Sequence, residues 1–127
     1  MKILDIRSVD RLERAINQGS CIVSCGASWF LTCRNQYSIL TRIAENCIGW
    51  DAIVHVDIEK CPDAESILAI QSIPTIVFYG NGEETARFVG LKSLEDLQEV
   101  LETICPSQLT DQPAATTTIR GCNQSIL

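Results

Sequence analysis

The sequence predicts an α/β fold in which helices sandwich a mixed sheet. Three observations carry that expectation. Short β-branched, apolar runs alternate with segments whose apolar residues recur at helical spacing. A Gly80-Asn81-Gly82 turn joins two late strand-like runs as a hairpin. An amphipathic helix closes the series.

Taken in order, residues 2–6 are a short strand candidate. Ser8 reads as the N-cap of a helix carrying Leu12, Ala15 and Ile16 and ending by Gly19. Residues 21–25 form a buried-strand candidate closed by Gly26. A longer helix is predicted over residues 31–47, and residues 52–57 give the next strand. Cys61 and Pro62 open a short helix through Ile67, Leu68 and Ile70, because Pro at the first helical position has no N–H to leave unpaired. Residues 75–79 and 85–89 are the hairpin strands. Ser93 caps a last helix with Leu94, Leu97, Val100, Leu101 and Ile104 in phase, and Asp96 completes a capping-box pattern. After Pro106 the composition turns to Ser, Thr, Gln, Ala and Pro without periodicity, which reads as a flexible tail over 106–127 beside one domain over 1–105.

Composition narrows the function classes. The 127 residues are 46% apolar and 20% charged, ordinary for a globular domain. A net charge of −6 supplies no electrostatic footprint for nucleic acid or an anionic membrane. No apolar run approaches the roughly 20 residues that span a bilayer. The first seven residues carry charge too early for a secretory signal, so a cytoplasmic or organelle-interior setting is the expectation. Seven cysteines stand at 21, 25, 33, 47, 61, 105 and 122. No two form C-x-x-C, so neither a vicinal dithiol nor a zinc half-site is present, and no metal or cofactor is expected. Most read as small apolar core residues.

The local motifs then point further. Ala27-Ser28-Trp29-Phe30-Leu31-Thr32-Cys33-Arg34 resembles the thioredoxin segment Ala-x-Trp-Cys-Gly-Pro-Cys-Lys. Ile73-Pro74-Thr75 is similar to that family's cis-proline loop, Asn81-Gly82-Glu83 to its hairpin turn, and Val89-Gly90 to its site-proximal glycine loop. The resemblance spans about residues 2–104 and implies a thioredoxin-like fold, a three-layer sandwich around a mixed central sheet. It also implies a cis bond before Pro74.

The departures from the family cluster at one place. The nucleophilic cysteine falls on Phe30, the Gly-Pro pair on Leu31-Thr32, and only the resolving cysteine survives, as Cys33. The family's buried Asp falls on Ser24, the aromatic two residues later on Gly26, the lysine facing that Asp on His55, and the helix-kinking Pro on Ser38. A dithiol reductase needs one thiolate to attack and a second to resolve the mixed disulfide. Phe30 supplies no sulfur.

Two readings follow. In the first, the protein is impaired or inactive as a dithiol reductase and binds a protein or peptide at the former active-site surface of Trp29, Phe30, Leu31, Thr32, Ile73, Pro74, Gly90 and Leu91. An apolar patch of that kind marks a partner site and also suits dimerisation. In the second, Cys33 acts as a single catalytic thiol with His55 as its base. Against that, Cys33, Tyr37, Leu40, Ala44 and Cys47 follow helical spacing as a core-facing stripe. Cys61, at a helix start beside Lys60, is the candidate for an accessible reactive thiol outside the site.

Overall fold

The computed structural model describes residues 2–45 and 49–103. The expectations for Cys47, Ile104, Cys105, Cys122 and the tail fall outside the described residues. Nine elements follow one another: β1 (Leu4–Ile6), α1 (Val9–Ile16), β2 (Ser20–Gly26), α2 (Leu31–Glu45), β3 (Ala52–Asp57), α3 (Ala64–Ile67), β4 (Thr75–Gly80), β5 (Glu83–Val89) and α4 (Leu94–Thr103). The strands form one sheet in the order β1-β3-β2-β4-β5. The pairs β1–β3 and β3–β2 are parallel, whereas β2–β4 and β4–β5 are antiparallel.

Local chemistry accounts for the element ends. Ser8 Oγ accepts the Arg11 N–H at 3.3 Å, and Ser93 Oγ accepts the Asp96 N–H at 3.1 Å, so both helices begin on a side-chain cap. The hairpin turns on two residues, Asn81 and Gly82, at φ 52° and 88°. Positive φ at both central positions matches the twist of the flanking strands, and Asn-Gly is the pair that tolerates it. Gly80 therefore belongs to β4, paired with Glu83, rather than to the turn.

The period-2 geometry of β2 assigns its side chains to two cores. Cys21, Val23 and Cys25 join Leu12, Ile16, Val54, Val56, Leu68 and Val77 on the α1/α3 face. Ile22 joins Leu40, Ile43, Ile53, Ile76, Phe78 and Leu97 on the α2/α4 face. Phe78 bridges that second core, its ring edge-on to Trp50 at 5.6 Å and to Phe88 at 5.8 Å.

The segment after β3 departs from expectation. Its helix covers only Ala64–Ile67, starting after Cys61 and Pro62 rather than on them, and Leu68 and Ile70 lie beyond it. Cys61 is 4% exposed and packs in the α1/α3 core. It is thus not an accessible thiol: the turn that carries it points its small apolar side chain inward. No helix among the described residues is long and apolar enough to cross a membrane.

Candidate functional site

The same alternation that fills the second core builds the site. Beyond Ile22, the α2-facing positions of β2 are Ser24 and Gly26. Beyond Ile53, those of β3 are His55 and Asp57. Ser24 and His55 are register partners, as are Gly26 and Asp57. The apolar face thus gives way to a polar row at the C-terminal ends of the parallel strands.

Cys33 lies over this row from the first turn of α2. It is 4% exposed. A Cβ placed on Gly26 would stand 3.0 Å from both Cβ and Sγ of Cys33 and 3.7 Å from His55 Cε1. The bare glycine backbone is what lets the thiol settle against β2. Burial pushes the Cys33 thiol above its ordinary range; the Ala27 backbone bonded to the sulfur lowers it, and the Asp57 carboxylate raises it further. His55 Nδ1 lies 3.3 Å from Ser24 Oγ, and its ring meets Tyr37 edge-on at 4.8 Å. Burial lowers the imidazole below its ordinary value, opposed by Asp5 and Asp57 and reinforced by Lys60. Thiol up and imidazole down both favour neutral partners over a thiolate–imidazolium pair.

Cys33 and His55 are lining residues of one cavity of about 360 Å³, which also takes in Tyr37, Asp57 and Lys60. The structure therefore brings the two candidate catalytic residues together. It sets Trp29, Phe30, Leu31 and Leu91 on the outer surface at the same end of the sheet, with Thr32, Ile73 and Gly90 half-buried; Pro74, expected in that surface, is buried beneath it because its loop packs under the Gly90 turn. Phe30 precedes α2, its carbonyl accepting the N–H groups of Cys33 at 3.0 Å and Arg34 at 3.1 Å. Phe30 is 36% exposed, between Trp29 at 62% and Leu31 at 60%, and its ring centroid lies 5.5 Å from that of Trp29. Thr32 is half-buried.

The facing loops arrive through the antiparallel half of the sheet. Thr75 opens β4 opposite Cys25 on β2 and Val89 on β5. The Ile73–Pro74 peptide bond is cis. The Gly90 N–H donates to the Pro74 carbonyl at 2.8 Å, tying the two loops together. Ile73 is half-buried and Pro74 buried, while Val89 and Leu91 are exposed.

One positioning residue escaped the sequence reading. Gln36 is fully buried, its Oε1 accepting the Lys92 N–H at 2.7 Å and its Nε2 donating to the Lys92 carbonyl at 3.1 Å. It holds the loop of Gly90 and Leu91 to α2. The available signal was its place between Cys33 and Leu40 on the inward stripe of the helix. Among the described residues Cys21, Cys25, Cys33 and Cys61 are free and buried. Burial pushes the thiols of Cys21 and Cys25 up to about 12. No group of His, Cys, Asp and Glu suited to a metal ion occurs among the described residues.

Comparison with known proteins agrees with this architecture. The thioredoxin from Staphylococcus saprophyticus is 26% identical over 102 residues, covering 80% of this chain and 94% of the relative. That from Staphylococcus epidermidis is 28% identical over 102 residues, covering 80% and 97%. The solved structure of Plasmodium falciparum thioredoxin superposes with a TM-score of 0.74 at 19% identity, covering 80% of this chain and 99% of that one. Malassezia sympodialis thioredoxin does so with a TM-score of 0.70 at 21% identity, covering 80% and 89%. A family model described as thioredoxin matches residues 6–103, from the last residue of β1 to the last of α4. With that model covering residues 6–103, well over half of the chain, the chain belongs to the thioredoxin family.

Proposed function

We propose that this protein is a thioredoxin fold turned from dithiol chemistry to binding, holding a protein segment on the surface of Trp29, Phe30, Leu31, Ile73 and Leu91. The observation that carries this is the exchange of exposure at the head of α2. A partly exposed phenyl ring occupies the position of the family's attacking sulfur, and the one remaining sulfur is 4% exposed. An attacking thiol must reach its substrate as a thiolate. Cys33 is both shielded and raised in pKa. The exposed Trp29, Phe30 and Leu31, with Val89 and Leu91 across the loops, form instead an apolar surface of the composition that partner sites favour.

The test is native-state alkylation of the reduced protein, mapped by mass spectrometry, beside a disulfide-reduction assay on insulin. The reading expects Cys33 to label only on unfolding and insulin turnover at background. It also expects Phe30→Ala to weaken retention of partner proteins from a cell extract relative to the unaltered chain. Rapid labelling of Cys33 near neutral pH, slowed by His55→Ala, supports the second reading instead. In that case Cys33 and His55 work as a monothiol oxidoreductase: the Cys33 thiolate displaces one sulfur of a substrate disulfide as a thiolate, and an external thiol then releases the mixed disulfide. The contact of both residues with a common cavity is the observation in its favour.

A further inference from the structure

The cavity behind α2 has features that neither partner binding nor a single thiol uses. It lies over the C-terminal ends of the three parallel strands: Ile6 ends β1, Asp57 ends β3, and Ala27 follows β2. In open sheets with parallel strands, that end is where the crossovers leave a crevice for ligands. Its volume of about 360 Å³ falls among pockets that hold small molecules, roughly 300–1,000 Å³.

Its charge runs against that of the molecule. Three cations, Arg7, Arg34 and Lys60, line it against two carboxylates, Asp5 and Asp57, in a chain of net charge −6. Part of that set is already committed. Arg34 Nη1 donates to the Ser28 carbonyl at 3.0 Å, and Asp57 Oδ1 accepts the Glu59 N–H at 2.9 Å. Arg7, Lys60 and the carboxylate of Asp5, the register partner of His55, are not. Arg7 and Lys60 come from separate loops, after β1 and after β3, and both are exposed. Neither cation donates a hydrogen bond or forms an ion pair among the described residues, and Lys60 lies close enough to His55 to act on its charge. Two uncommitted cations against the one carboxylate of Asp5 leave the cavity a positive surplus, which favours a single negative charge.

The remaining lining carries apolar and aromatic surface. Ala27 and the Tyr37 ring supply apolar surface, and Tyr37 stands edge-on to His55; Ile6 borders the cavity from β1 but packs its side chain in the α1/α3 core. With Nδ1 directed at Ser24, the His55 Nε2 has no partner among the described residues. It adds a polar contact to an otherwise apolar wall.

We propose that this cavity binds a small organic anion, a carboxylate on a flat apolar body. Arg7 and Lys60 take the carboxylate, and the Tyr37, His55 and Ala27 wall takes the body. None of Trp29, Phe30, Leu31, Ile73 and Leu91 lines this cavity, so a ligand here and a protein partner there use different residues.

The experiment is a titration of the full chain with naphthoate at neutral pH and low salt. Affinity is read by equilibrium dialysis and location by NMR. Saturable binding is expected, with shifts at Ala27, Tyr37 and His55. Affinity should fall about tenfold or more in the Arg7→Glu/Lys60→Glu variant and for the neutral naphthamide. Both substituted side chains are exposed, so an unchanged melting curve establishes that this variant is folded. Equal affinity for naphthamide, undiminished binding by the double variant, shifts confined to Trp29 and Phe30, or no saturation by about 10 millimolar overturns the proposal. Phe30→Ala leaves this binding intact, which separates its failure from that of the partner surface.

Discussion

Phe30 and Cys33 stand three residues apart at the start of one helix, the spacing at which two side chains share a face. If the substitution at 30 alone removed the redox pair, Phe30→Cys restores it. That variant is expected to form an intramolecular disulfide with Cys33 on mild oxidation, read as a loss of two free thiols. His55 gives a second prediction at this scale. Its folded-state pKa is depressed, chiefly by burial, below the ordinary imidazole value of 6.5. The unfolded chain therefore binds a proton more readily than the folded one as pH falls through that value. The stability held by a neutral His55 is complete above about pH 6.5 and is lost on acidification toward the folded pKa. Urea midpoints should fall between pH 7 and 5, and His55→Asn should flatten that slope. The carboxylates of Asp5 and Asp57 oppose the shift, so the slope is smaller than burial alone gives.

At the scale of elements, the site depends on how α2 is fastened to the loop after β5. Gln36 satisfies both backbone groups of Lys92 from inside the protein. Gln36→Leu keeps the volume and strands those two groups, at a cost of about 1–3 kcal/mol. The same change frees Gly90 and Leu91 from α2, so it should raise amide exchange in that loop more than in β2. Arg87 fastens the other side of the sheet. Its guanidinium donates to the carbonyls of Leu68 at 2.6 Å and Ala69 at 3.0 Å while pairing with Glu84. It thereby pins the end of α3 to β5, including Ala69 at φ 54°. A four-residue helix has little stability of its own, so this external clamp and the burial of Ala64 and Leu68 hold it in place.

For the whole molecule, one sheet separates two cores, and β2 at its centre feeds both. A cavity in either core is therefore felt across the sheet. Phe78→Ala is expected to lower stability by about 3–5 kcal/mol in urea unfolding, because Trp50 and Phe88 lose the ring between them. Unfolding should stay a single transition by fluorescence and circular dichroism. The outer surface and the inner cavity use different residues around the same helix start. One is apolar and exposed; the other is walled by charged and polar groups in an acidic protein.

The elements were legible in the sequence because each is written in local chemistry. Ser8 and Ser93 cap their helices, Asn81-Gly82 dictates its turn, and the run 52–57 is β3 to the residue. That Phe30, not a cysteine, stands three residues before Cys33 was equally plain, since it needs only the order of residues around Trp29 and Cys33. Three things were decided in three dimensions. Cys61 looked accessible at a helix start, but the turn after β3 faces inward and buries it. The role of Gln36 became visible only with its partner 56 residues away, Lys92, in place. The cavity needed loops after β1, β2 and β3, which only the parallel pairing of those strands brings to one end of the sheet. Caps, turns and periodicity depend on neighbours in the chain and can be read along it. Burial and charge grouping depend on contacts between distant segments, which the chain acquires only on folding.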